Sequence, residues 1–204
     1  MSFSRDDFPV VNAYIDSDCL NEFREIVISC DERYRNFSAG EFLTRSYIFS
    51  GKYLTFAGAL MFGNIIRVRA TLDYEARHVE IEALNIWKAY TNILPRLICK
   101  LSAQCRKIYR EAFINALLNS DYCMDNKINV IISPNPPRVL IDYPGLINSN
   151  TRNNRLQKIF ELAGILRDEH ISQRINIEQD VLNLRVKASF ELEGPAELPQ
   201  PVIL

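Results

Sequence analysis

The stretch from Arg106 to Ile141 most narrows what this chain can fold into. Arg106–Asn119 carries Ile108, Ala112, Phe113, Ala116 and Leu117 at helical spacing, and Asp121 to Lys127 reads as a turn. Two β-branched runs follow, Lys127–Ser133 and Arg138–Ile141, on either side of Pro134-Asn135-Pro136-Pro137. Short alternating runs separated by proline-rich punctuation predict a hairpin. A helix leading straight into a hairpin must bury its apolar stripe on the hairpin's apolar face, which is a helix-on-sheet layer.

The remaining periodicities extend this to an α+β reading. Asp16 and Ser17 are good N-caps for a helix over 18–33, and a second helix is expected over 39–48. Gly51-Lys52 reads as a turn. Thr55 can cap a short apolar helix that Gly63 ends. Residues 65–72 alternate as a half-buried strand, with Arg67 and Arg69 on its wet face. The pattern then predicts a helix over 79–102, broken or kinked at Pro95. Residues 143–154 read as loop. Asn153 or Asn154 caps a helix that Gly164 stops after Ala163, another helix is expected over 168–182, and a strand over 184–192. The three-proline tail from Gly194 is expected to be loose. We therefore expect a sandwich of sheet and helices over 105–204, tail included. A helical and single-strand segment over 1–104 should pack on it, with no linker between them.

Composition excludes more than it assigns. With 48% apolar and 24% charged residues, a disordered or collagen-like chain is excluded. No apolar run reaches the roughly 18 residues needed to cross a bilayer, so no membrane partner is expected. The N-terminus has no basic segment followed by an apolar one and is not read as a signal peptide. The net charge of −1 leaves no whole-protein basic field for nucleic acid. Cys19, Cys30, Cys99, Cys105 and Cys123 form no CxxC pair, which argues against a disulfide framework and a zinc ribbon and points to a reducing, cytoplasmic setting. Two histidines, His78 and His170, are too few for multi-histidine metal catalysis. Neither a GxSxG elbow nor a GxxxxGK[ST] phosphate loop is present.

Two constellations remain. Arg96, Lys100, Arg106, Lys107 and Arg110 form a local basic cluster, readable as a phosphate-facing ridge for DNA or as a solvated helix face. Aromatic interleaving, typical of single-strand binders, is missing from it. Glu111 and Asn115 stand four apart, so both side chains leave one helix face. A carboxylate beside an amide can activate water and ligate Mg²⁺; equally, the two can tie elements together inside an α/β core. Asp142 and Gly145 end the second strand of the hairpin, and Gly145 would let backbone approach a ligand closely.

Arg110-Glu111-Ala112-Phe113-Ile114-Asn115-Ala116 and the residues to Tyr122 resemble the "REAlvNAvxHRDY" segment of bacterial RecG-related, Schlafen AlbA-type transcriptional regulators. In order, Leu54–Gly63 resembles their "lTxAGxLlFG", Ile141–Leu146 their "IxNPGxL", and Thr151–Asn154 their "xRNP". The resemblance implies an AlbA-like nucleic-acid-binding segment, for which the first 50 or so residues are short, followed by a sandwich of the histidine-kinase/gyrase (GHKL) ATPase type. It implies that Glu111 polarises the attacking water and that Asn115 ligates Mg²⁺ beside ATP. Asp142 to Gly145 would contact adenine, and Arg152 and Asn153 would lie at the nucleotide or serve as loop and cap residues. The departures are specific. Asn119-Ser120 replaces His-Arg, Tyr143 replaces the asparagine before Pro-Gly, and Asp142 stands one place out of register. Where the family has "ExxGxGI", Arg167 replaces the acid, and His170 and Ser172 replace both glycines. Side chains there would crowd a phosphate cradle. The expectation is a regulatory protein with a degenerate nucleotide-binding or homodimerisation module, ATP and Mg²⁺ being held weakly or lost. The alternatives are an active Mg²⁺-dependent ATPase and a direct DNA-binding protein.

Overall fold

The computed structural model describes residues 9–10, 14–74, 77–98, 103–122, 127–134, 137–145, 154–166, 176–180 and 182–191. The chain forms two units, one of residues 1–67, 84–87 and 152–169, the other of 68–83, 88–151 and 170–204. The division runs through the expected 1–104 segment instead of beside it. The strands within 68–83 join the sheet of the second unit, and the helix after 153 belongs to the first.

In the first unit, β1 (Pro9–Val10), β2 (Phe49–Ser50) and β3 (Tyr53–Thr55) form a small antiparallel sheet in the order β1-β3-β2. Helix α1 (Ser17–Cys30) starts where Asp16 Oδ1 accepts from the backbone N–H groups of Asp18 and Cys19. It stops three residues before the expected end, because Asp31 turns extended and caps a 3₁₀ turn over Glu32–Asn36. Helix α2 (Ala39–Arg45) opens on a reciprocal capping box between Ser38 and Glu41. Helix α3 (Phe56–Phe62) has the expected ends: Thr55 Oγ1 accepts from Gly58 N–H, and Gly63 closes it. Phe23 lies against Phe42, Phe62 and Trp87 at ring-centroid distances of 6.2, 5.1 and 5.4 Å, all four essentially solvent-free. Trp87 satisfies its buried indole by donating to Glu22 Oε2 at 2.8 Å. Helix α7 (Asn154–Leu162) contributes Leu156, Ile159 and Phe160 to the buried set, and Gly164 follows it at φ +67.

The second unit is a six-stranded mixed sheet: β4 (Val68–Tyr74), β5 (Arg77–Ala83), β6 (Lys127–Pro134), β7 (Pro137–Pro144), β8 (Asn176–Asp180) and β9 (Arg185–Glu191), in the order β5-β4-β6-β7-β9-β8. The β6–β7 hairpin forms as expected, closing with Pro134 opposite Pro137. Only β4 and β6 pair in parallel, so the chain crosses over between them. Two expected helices are corrected. The stretch 77–83 is a strand because Val79 and Ile81 also fit an alternating pattern and β4 supplies the partner edge, Arg69 meeting Glu82 at 3.0 Å. Residues 176–180 are a strand paired with β9. Beyond β5 the helical reading returns as α4 (Ile86–Lys88), a wider π turn over Ala89–Ile93, and α5 (Leu94–Ile98). The turn widens just before Pro95, where the ring would clash with a regular helical carbonyl. Helix α6 (Ala103–Asn119) packs on α5 and on β7. No helix among the described residues is long and apolar enough to cross a membrane.

Gly58 and Gly40 give opposite expectations. A Cβ at Gly58 would stand 2.5 Å from the Ile48 carbonyl oxygen, whereas one at Gly40 meets nothing within 4 Å. Gly58→Ala should cost about 1–3 kcal/mol by overpacking. Gly40→Ala, in a helix with room, should gain about 0.5–1 kcal/mol. Urea unfolding of both variants checks this, and equal midpoints would contradict it.

Candidate functional site

Helix α6 is enclosed on nearly every side. Ile108, Tyr109, Ala112, Phe113, Ile114, Ala116, Leu117 and Leu118 are all buried. Glu111, Asn115 and Asn119 stay half-open as a stripe at spacing four, with exposed Lys107 at its start and half-buried Arg110 beside it. Glu111 and Asn115 therefore share a face, as their spacing implies. One carboxylate oxygen of Glu111, Oε2, is shut away from solvent. Asn119 turns back along the helix, its Nδ2 donating to the Asn115 carbonyl at 2.8 Å.

The C-terminal end of α6 meets the end of β7. The backbone N–H of Asp121 donates to the Pro144 carbonyl at 2.9 Å, and the N–H of Gly145 donates to the Leu184 carbonyl at 2.8 Å. Gly145 has φ +151, and a Cβ there would stand 2.9 Å from the Asn119 carbonyl oxygen. Its carbonyl accepts from Gln179 Nε2 at 3.2 Å. The glycine is needed for close approach, but the group it approaches is the end of α6.

Asp142 lies on the other side of the sheet from the apolar row. Successive residues of a strand face opposite ways, so buried Val139, Ile141 and Tyr143 share one face and Asp142 takes the other. There both carboxylate oxygens accept from Arg185 Nε, at 2.8 and 2.9 Å, and Oδ2 also accepts from Asn129 Nδ2 at 3.2 Å. Arg185 Nη2 adds a bond to the Asp142 carbonyl at 3.1 Å. The side chains are only 18% and 14% exposed, so water does little to loosen the pair. Arg185 is the residue that sequence reasoning missed. Its signal was its place in the alternating strand 184–192, but a partner 43 residues away is not visible from spacing.

Of the basic cluster, Arg96, Arg106 and Lys107 are exposed. Arg110 is half-buried and donates to Tyr90 Oη at 3.2 Å, its guanidinium lying over that ring. The sequence thus brings together Glu111 and Asn115, and separately joins Gly145 to the helix end. It does not bring Asp142 to the apolar face that carries Tyr143. Arg152, Asn153, Lys100, His170 and Ser172 lie outside the described residues. Among the described residues no three His, Cys, Asp or Glu side chains gather to hold a metal. Glu111 and Asn115 supply two hard oxygen donors, which suit Mg²⁺ only if phosphate oxygens complete its shell.

No family model matches the chain, and no curated protein matches it. Its fold is similar to the DIP2311 protein of Corynebacterium diphtheriae, known from a crystal structure, with a TM-score of 0.75 at 14% identity. The match covers 95% of this chain and 41% of that one, so the chain spans less than half the length of the structure it resembles. That likeness shows the fold: an α+β protein with helices and a six-stranded mixed sheet.

Two outcomes test the site's framework. In a double-mutant cycle of Asp142→Asn and Arg185→Met, the coupling should be about 1–2 kcal/mol, read by chemical unfolding. Additive effects would mean the pair holds nothing. Burial pushes the Tyr143 hydroxyl from its ordinary 10.0 up to about 12. The folded phenol then stays protonated where the unfolded one ionises, so stability holds below pH 10 and falls as pH rises toward 12. Tyr143→Phe should show a shallower fall across that window, and an unchanged slope would refute it.

Proposed function

We propose that the chain is a regulatory module built on a GHKL-type ATPase-like sandwich. It serves in nucleotide-dependent or homodimeric interaction, not in hydrolysis, and acts in transcription in the manner of the RecG-related, Schlafen AlbA-type regulators it resembles. The observation that carries this reading is the commitment of Asp142. An adenine-reading acid must offer its oxygens to a ligand, and both oxygens of Asp142 are held by Arg185. Gly145 is likewise committed, its open side filled by the Asn119 carbonyl. Helix α6 still presents Glu111 and Asn115 on one half-open stripe, so the pair that would handle water and Mg²⁺ outlasts the contacts that would fix base and phosphate. His170 and Ser172, in place of glycines, weaken a phosphate cradle in the same direction. The proposed setting is the cytoplasm, in keeping with the free thiols of Cys19 and Cys30. Direct DNA contact would fall to Arg96, Arg106 and Lys107, which are exposed where Arg110 is half-buried.

A phosphate-release assay with ATP and Mg²⁺, run beside a thermal-shift titration, tests this. Phosphate release should stay at background, and any shift should need millimolar nucleotide and vanish in Asn115→Ala. Sustained hydrolysis that Glu111→Ala abolishes would overturn it in favour of the ATPase.

A further inference from the structure

The first unit holds a hollow of about 380 Å³, lined by Arg33, Tyr34, Phe37, Thr44, Arg45 and Tyr47. That volume is within the range of small-molecule sites, about 300–1,000 Å³. The lining has two guanidinium groups, three hydroxyls and one apolar ring, and no carboxylate. Three local devices assemble it. The 3₁₀ turn over Glu32–Asn36 swings Arg33 and Tyr34 to one side, helix α2 delivers Thr44 and Arg45, and Tyr47 follows in the left-handed region at φ +63. An aromatic residue adopts that conformation at a cost, and the fold imposes it where Tyr47 joins the wall.

The surroundings fix the chemistry. Arg45 lies over the Phe37 ring with Cζ 4.7 Å from its centroid, and Lys158 of α7 lies over Tyr47 at 4.9 Å. Arg24 Nη2 donates to the Phe37 carbonyl at 3.1 Å and steadies the floor from behind. Arg33 is held by Asp31 through bonds of 2.7 to 3.1 Å, which orients it while offsetting part of its charge. Burial, with Asp31 next, raises the Tyr34 hydroxyl above its ordinary range. Two guanidinium groups and two tyrosine hydroxyls thus line the hollow beside aromatic rings, while Thr44 Oγ1 donates to the Gly40 carbonyl at 3.0 Å.

We propose that this hollow is a binding site for a small phosphomonoester carrying a planar ring, a mononucleotide being the representative. Arg45, Tyr34 and Tyr47 receive the phosphate, and Phe37 and the tyrosine rings receive the base. The site is separate from the α6 stripe and needs neither Glu111, Asn115 nor Mg²⁺.

Calorimetric titration of the full chain with AMP and with inorganic phosphate, both without Mg²⁺, tests this. AMP should bind with a Kd below about 1 mM and phosphate more weakly, both weakening as salt rises. Arg45→Gln, on an exposed helical position, should weaken AMP at least about tenfold while keeping the parent melting temperature. Tyr47→Phe should weaken it less, and Asn115→Ala should leave it unchanged. Absence of AMP binding at millimolar concentration, or binding indifferent to Arg45→Gln, overturns the proposal. Binding lost in Asn115→Ala and kept in Arg45→Gln also overturns it, placing the nucleotide on α6 and favouring the reading of the preceding section.

Discussion

The second unit depends on a close approach between the end of a helix and the end of a strand. Where Gly145 follows β7, the Asn119 carbonyl of α6 occupies the space any side chain would need. Hydrogen bonds from Asp121 to Pro144 and from Gly145 to Leu184 close the junction. These bonds tie α6 to β7, and β7 to the turn between β8 and β9. The junction fixes one end of α6 against the sheet, and burial of Phe113, Leu117 and their neighbours holds its length. Directional bonds at one end and apolar burial along the length leave the Glu111–Asn115–Asn119 stripe half-open, with Arg110 beside its start.

The same junction accounts for the glycine without any ligand. A glycine after the strand is required by the Asn119 carbonyl whether or not a ligand ever approaches it. Tyr143 contributes a buried ring to the apolar row. Asp142, one step away, is carried by the strand's alternation to the opposite face and finds Arg185. A one-residue change in register along a strand reverses the side of the sheet to which a side chain belongs. Packing and strand alternation alone therefore account for Tyr143, Asp142 and Gly145.

What the sequence made legible was local. The ends of α3 followed from Thr55 and Gly63, the β6–β7 hairpin from its prolines, and the shared stripe of Glu111 and Asn115 from a spacing of four. What stayed hidden was long-range. Val79, Ile81, Leu84 and Ile86 fit a helix as readily as a strand until β4 offers its edge to Arg77–Ala83. The segment Asn176–Asp180 is largely exposed and is a strand because β9 lies beside it. The Arg185–Asp142 pair joins positions that no local pattern connects. The hollow around Tyr47 depends on a 3₁₀ turn and a left-handed tyrosine, neither of which has a compositional signature.

The electrostatics of the two units bear on how a nucleotide could act here. A catalytic phosphate site must present groups that can change partners as charge develops. At the end of β7 the acid is already saturated by a guanidinium and an amide, and releasing it would strand Arg185 at 18% exposure. Around Tyr47 the opposite holds, since donors face a hollow and no carboxylate lines it. A ligand in the proposed site would meet Arg45 and the two tyrosine hydroxyls, and would compete with Asp31 only at Arg33. Saturated groups favour a scaffold and unsaturated donors favour a binding site. The proposed binding site therefore rests on the groups around Tyr47 and not on the Asp142–Arg185 pair.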